Sequence, residues 1–349
     1  MNSPMKFAIA LALFAPAIAT GAHTRLAQSS SFEVINLVSN HPGVAATYDP
    51  DLVNAWGISH APRGPLWVSD NGTNRSTLYD RRTGSKVPLT VRIVHGGAPT
   101  GQVFVPQDDD GDMDFPISKN GASGPSAFIF VTEAGTIEGW NPNVDQTHAV
   151  VAVDHSAQDA VYKGVAIKAR EKLYAADFSN NRVEVFNDQF KQIDSFTDPD
   201  LPKRFAPFNV AWLNGNLYVA FAKREKGGDD EVDHAGLGYV DVFSPTGHLL
   251  KHLIANGPLN APWGMTIAPD SFGEFAGALL VGNFGDGRIN AFNPDTGAFL
   301  GTLSRLSGKP VKIDGLWALQ AGPDGAVTFA AGPNDESDGL VGLIRPKNP

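Results

Sequence analysis

Asp70, Asn71, Glu133, Asp177, Asn283, Asn334 and Asp335 each stand at or just beyond the end of a short apolar run. Carboxylates and amides placed in this way offer oxygen ligands, and a hard cation such as Ca²⁺ takes roughly 6–8 of them. Asp70, Glu133, Asp177 and Asn283 are therefore the candidate metal ligands, with a divalent cation, calcium first, as the implied cofactor. Glu133, His234 and Asp335 are the candidate groups for proton transfer. A second set, Trp56, Lys163, Asn209, Trp263 and Asp314, stands at the starts of other strands and offers indole faces and single charges to a small ligand. A structural use competes with each. Asp177 can cap the loop Asp177-Phe178-Ser179-Asn180-Asn181-Arg182 and pair with Arg182, Asp286-Gly287-Arg288 can do the same, and Trp56 and Trp263 can pack between neighbouring units.

The elements that must position these residues repeat six times. Buried-strand patterns run Pro65–Asp70, Ala127–Glu133, Lys172–Asp177, Asn216–Phe221, Ala278–Asn283 and Ala326–Ala331, apolar or β-branched between turn residues. Each is followed by a second run, several of them alternating apolar with polar as half-buried strands do, such as Arg182–Phe186 and Tyr239–Phe243. Hairpin signals follow, most clearly Ser244-Pro245-Thr246-Gly247 and Asn293-Pro294-Asp295-Thr296-Gly297. Inner strands begin near Gly57, Gly101, Gly164, Asn209, Gly264 and Gly315, at intervals close to the roughly 40–50 residues of a four-stranded blade, lengthened by insertions. The expected fold is an all-β, six-bladed β-propeller.

Fourth strands are expected at Val87–Val94, His148–Asp154, Lys191–Thr197, Leu249–Ala255 and Phe299–Ser304, and the sixth repeat reaches Pro349 without one. The missing strand is read at the other end of the chain. Residues 32–39, FEVINLVS, should close the last blade as its outer strand. The same tetrapeptide pattern, Asp49-Pro50-Asp51-Leu52 and Asp198-Pro199-Asp200-Leu201, leads into the first and fourth blades. In this topology the blade entrances share a face with the loops after the second strands. The candidate residues therefore ring one channel mouth, joined there by His41, His95, His155 and the insertion Lys223–Gly238.

Composition sets limits on function. The 349 residues carry a formal net charge of −10, so nucleic acid is not expected as a partner. There is no cysteine, hence no disulfide, thiolate site or cysteine nucleophile. Lys6 followed by the apolar run Phe7–Ala19 reads as an export signal cleaved after Ala19 or after Ala22, too short to span about 30 Å of hydrocarbon. Residues 1–19 are thus the signal, 20–31 a flexible lead and 32–349 one domain. The mature chain is expected to be a secreted or periplasmic monomer without a membrane span. Other motifs are incomplete. Asp108-Asp109-Asp110-Gly111-Asp112-Met113-Asp114 would put Pro106 at the first position of a calcium loop, and reads as a solvated insertion on the opposite face. Gly57-Ile58-Ser59-His60-Ala61 lacks the final glycine of a nucleophile elbow.

Asn54-Ala55-Trp56-Gly57-Ile58, Thr132-Glu133-Ala134-Gly135-Thr136-Ile137, Ala206-Pro207-Phe208-Asn209-Val210, Gly282–Phe292 and Ala331–Glu336 resemble an uncharacterised family of secreted bacterial NHL-like propellers, some of which carry a PEP-CTERM sorting tail. The resemblance covers nearly all of the chain after residue 32 and implies fold and export. More remotely the chain is similar to gluconolactonase- and paraoxonase-type propellers, which hold a divalent metal in the channel. That pattern has a Glu near the first strand entrance, where this chain has Asn54 and Trp56. Virginiamycin B lyase, another propeller, uses paired histidines on one face. Two functions are carried forward: a module binding a small ligand or an extracytoplasmic partner at the mouth, and a divalent-metal-dependent, lactonase-like hydrolase or lyase.

Overall fold

The apolar runs become strands because each lies inside a sheet and has blades on both sides. A computed structural model describes residues 1, 30–94, 97–107 and 113–347. The export segment, His95 and most of the acidic run 108–114 lie outside the described residues. Six sheets radiate around an axis. Blade 1 is Ala55–Ser59, Leu66–Asp70, Arg75–Tyr79 and Lys86–Arg92. Blade 2 is Pro99–Phe104, Phe128–Thr132, Thr136–Trp140 and Val150–Asp154. Blade 3 is Tyr162–Lys168, Lys172–Asp177, Arg182–Asn187 and Gln192–Phe196. Blade 4 is Phe205–Leu213, Asn216–Lys223, Tyr239–Phe243 and Leu249–Ala255. Blade 5 is Pro262–Ile267, Leu279–Asn283, Ile289–Phe292 and Phe299–Thr302. The expected architecture is the one observed.

Blade 6 contains Leu316–Ala321, Val327–Ala331 and Leu340–Lys347 and is closed by the N-terminal strand Ser31–Ser39. That strand runs antiparallel to Leu340–Lys347 with Val34 opposite Ile344 and Ile35 opposite Leu343. Phe32, Leu37 and Val38 are buried, and the Phe32 ring packs 5.0 Å from Phe272. Two features were not anticipated. Thr47–Tyr48 adds a short parallel pairing to the edge of blade 6. A hairpin, Pro116–Lys119 with Ala122–Pro125, sits between the first two strands of blade 2 and explains its length.

The third strands correct one expectation. They alternate, but they are buried on both faces rather than half-buried. Thr77, Glu138, Glu184, Asp241 and Asn290 occupy equivalent central positions, opposite Val68, Phe130, Ala175, Val219 and Val281. At least three of them tie down the linker that enters their own blade. Glu138 accepts the Val94 N–H (3.0 Å), Glu184 Oε2 lies 3.0 Å from His155 Nδ1, and Asn290 donates to the Pro258 carbonyl (3.3 Å). Burial of a polar group is tolerated when it is hydrogen-bonded, which is how Glu138, Glu184 and Asn290 persist inside a wedge of blades.

Inner strands approach closely at their glycines. A Cβ on Gly57 would lie 2.4 Å from the Thr100 carbonyl oxygen, and one on Gly264 would lie 2.5 Å from that of Trp317. The inner strands of all six blades line an axial cavity of about 350 Å³, with Ser59, His60, Phe104, Trp212 and Gln320 among its lining.

Candidate functional site

Above that cavity the channel mouth is filled by aromatic rings. Trp56 stacks on Trp317 with centroids 3.6 Å apart, and Trp263 meets both edge-on at 6.3 and 5.9 Å. Phe284 lies over Trp317 at 4.0 Å. The Trp317 indole N–H donates to Asn54 Oδ1 (2.9 Å), and that of Trp263 donates to the Lys163 carbonyl (3.0 Å). Asn209 Nδ2 donates to the Trp263 carbonyl (2.8 Å). Of the five residues expected to meet a ligand, Trp56, Lys163, Asn209 and Trp263 are buried in this cap, and Asp314 is exposed at its edge.

Lys163 is the cationic centre of the mouth. It is only 2% exposed, its Nζ 5.2 Å from the Trp56 ring centroid and 2.5 Å from Glu133 Oε1. Glu133 Oε2 accepts Asn71 Nδ2 (2.9 Å), Asn71 Oδ1 accepts Asn54 Nδ2 (3.2 Å), and Asn54 Nδ2 also donates to Glu336. The blade 4 insertion completes the cluster. Its backbone folds back on itself, Glu225 N–H to the Asp230 carbonyl and Val232 N–H to the Lys223 carbonyl, and this sets Asp230 3.7 Å from Lys163. Burial opposes the charge on Lys163, but Glu133, Glu231 and Asp230 together hold its pKa above the usual lysine value. Burial pushes Glu231 up to about 8, against the pull of Lys163 and with the push of Asp233 and Glu336. Glu336 is raised for the same first reason, the Asn54 hydrogen bond opposing.

Beside the cap is a second cavity of about 340 Å³, lined by Asp233, Asp314, Asp335, Glu336, Phe284 and three glycines. Asn334, Asp335 and Glu336 all have positive φ (57°, 49° and 62°), a conformation that costs L-residues energy and is found where the surroundings enforce it. Asp314 helps enforce it by accepting the Asn334 N–H (3.0 Å).

The four expected metal ligands are held by separate blades. Asp177 Oδ1 accepts the Val161 and Asn180 N–H groups, and its Oδ2 lies 3.6 Å from Arg182 Nε, the capping arrangement considered above. Asn283 donates to Pro258 and Asp286. Asp70 is fully buried with neither oxygen hydrogen-bonded, and burial drives its pKa well above the ordinary range. Glu133 is engaged by Lys163 and Asn71. Among the described residues, no three Asp, Glu or His side chains of the mouth bring ligand atoms within 4.8 Å of one another. Of the proposed proton-transfer groups, Glu133 joins the Lys163 cluster and Asp335 the acidic cavity, while His234 is exposed with its ring against the Ala235 carbonyl. His155 is not at the mouth cluster but bonds Tyr162 and Glu184, and His41 pairs with Asp338 at 2.8 Å. Glu336 and Asn54 carry no sequence signal as site residues, whereas Glu231 stands in the acidic insertion beside Asp229, Asp230, Asp233 and His234, a group with the composition for metal binding or acid–base work.

No family model matches the sequence. Uncharacterized protein L690 of Acanthamoeba polyphaga mimivirus is 34% identical over 330 residues, covering 90% of this chain and 86% of that protein. The chain belongs to this family. Uncharacterized protein R648 of the same virus is 32% identical over 330 residues, covering 90% and 80%. These relatives are viral and lend no support to the bacterial setting of the resembled family or to the PEP-CTERM tail that some of its members carry. Among solved structures, the apo-form of soluble aldose sugar dehydrogenase from Escherichia coli aligns over 91% of this chain and all of that one, with TM-score 0.54 and 13% identity. A streptogramin B lyase aligns over 91% and 98%, with TM-score 0.51 and 12% identity. At these identities the likeness is one of fold. No helix of the described residues is long and apolar enough to cross a membrane.

Proposed function

We propose that this propeller binds a small organic cation at its acidic mouth. The observation that carries the reading is the cavity of about 340 Å³ lined by four carboxylates and the Phe284 ring, with no Lys or Arg in its lining. Carboxylates attract a positive charge, and an aromatic face adds cation–π attraction of about 0.5–2 kcal/mol. Lys163 neutralises part of the neighbouring cluster, and the aromatic cap beneath keeps the ligand at the surface of the ring of blades. The test is calorimetry with a short diamine and with a quaternary ammonium, each against a neutral analogue. Binding that weakens with salt and with Glu336→Gln supports the reading; equal affinity for the neutral analogue sinks it.

A second reading, acid–base chemistry of the lyase or hydrolase type, draws on Glu231, whose pKa of about 8 keeps it protonated at neutral pH. A divalent-metal version has less support, because the mouth carboxylates do not converge. Export through residues 1–19, and a secreted or periplasmic monomer, complete the proposal. Sequencing the N-terminus of the mature protein tests the export.

A further inference from the structure

On the outer rim, far in sequence from the mouth residues of blades 2 and 6, Asp198, Asp241 and His252 meet where the linker from blade 3 enters blade 4. Asp241 is 1% and Asp198 3% exposed. Asp198 Oδ1 is used by the Asp200 N–H (2.8 Å), but Asp198 Oδ2 and both Asp241 oxygens are in no hydrogen bond. His252 Nδ1 lies 3.1 Å from Asp198 Oδ2 and 3.4 Å from Asp241 Oδ1, and the ring is about half exposed. Two carboxylates buried together, with no donor to these three oxygens among the described residues except the half-exposed His252 ring, call for a cation.

The same motif elsewhere in the chain shows what normally supplies it. In Asp49-Pro50-Asp51-Leu52, the linker into blade 1, Asp49 accepts the Tyr79 hydroxyl (2.7 Å) and lies 2.7 Å from Lys86 Nζ. Lys86 and His252 both stand on the outer strands of their blades, though at different register positions, Lys86 opposite Tyr79 and His252 opposite Asp241, and each brings a nitrogen to the linker aspartate.

We infer that Asp198, Asp241 and His252 form a divalent transition-metal site, best suited to Zn²⁺, that pins the blade 3–blade 4 linker to blade 4. A tetrahedron with metal–ligand bonds of about 2.0–2.1 Å has edges of about 3.3 Å, which the two measured separations bracket. The nitrogen ligand and the small ligand number favour zinc over calcium. A water would take the fourth position on the exposed His252 side.

The test uses the tag-free full-length chain. Calorimetry with Zn²⁺ should show one tight equivalent, and Co²⁺ should give the visible absorption of a tetrahedral site. His252→Gln alters an exposed side chain and should keep the fold, yet weaken Zn²⁺ at least about tenfold, abolish the Co²⁺ band and remove the zinc-dependent rise in melting temperature. Asp198→Asn should do likewise, and His155→Gln, at the His155–Glu184 pair, should not. Absence of stoichiometric binding would overturn the site. Zinc binding unchanged in His252→Gln would place the metal elsewhere and overturn it equally. The mouth shares no residue with this site, so either reading can fail without the other.

Discussion

Lys163 Nζ and Glu133 Oε1 lie 2.5 Å apart, one at the inner-strand entrance of blade 3 and the other in the loop after the second strand of blade 2. The pair spans a blade boundary and holds a nearly inaccessible ammonium over Trp56. Its charge is what allows Glu133, Asp230 and Glu231 to share the mouth.

Lys163→Met should therefore cost about 2–4 kcal/mol, because removing one partner strands the others. Adding Glu133→Gln should recover part of that loss. Urea unfolding of both variants checks it; an additive double variant would show that the pair is not coupled.

Stability should fall as pH rises from about 4.5 to about 8. Glu231 is pushed up to about 8 and the buried Glu138 to about 7, both chiefly by burial, from an ordinary value of 4.5. In that window the folded state keeps protons that the unfolded chain has released, so raising the pH favours unfolding. Below about 4.5 both states are protonated and the contribution is flat. Melting temperature measured from pH 5 to 9 should decline, and Glu231→Gln should decline less. A rise across the window would contradict the assignment.

Deleting residues 31–39 should abolish the fold. Phe32, Leu37 and Val38 are buried, each worth about 1.5–3 kcal/mol, against a total stability of about 5–15 kcal/mol. Phe32→Ala alone should cost about 3–5 kcal/mol. Circular dichroism and thermal melting distinguish loss of the whole propeller from fraying of one edge.

Gly57→Ala should destabilise by about 1–3 kcal/mol, since its Cβ would meet the Thr100 carbonyl at 2.4 Å and force two inner strands apart. Equal melting temperatures for the two proteins would mean that the inner strands have slack.

Strand repeats, hairpin turns and the closing role of residues 32–39 were legible in the sequence because they rest on local patterns. A run of four to six apolar, β-branched and aromatic residues between turn residues is short enough to read as a strand, and residues 32–39 carry the pattern of the outer strand that the sixth repeat pairs with. The shared face of Trp56, Lys163 and Glu133 followed from topology alone. What the alternation could not show was that Glu138, Glu184 and Asp241 would be buried, because a strand's polar face is hidden only when the next blade packs on it. Nor could spacing show that Glu336 would reach Asn54, 282 residues away, or that Asp198 and Asp241 would share His252. Those meetings depend on ring closure and on how each insertion folds back over its blade, and contacts between distant segments exist only once the tertiary structure has brought them together.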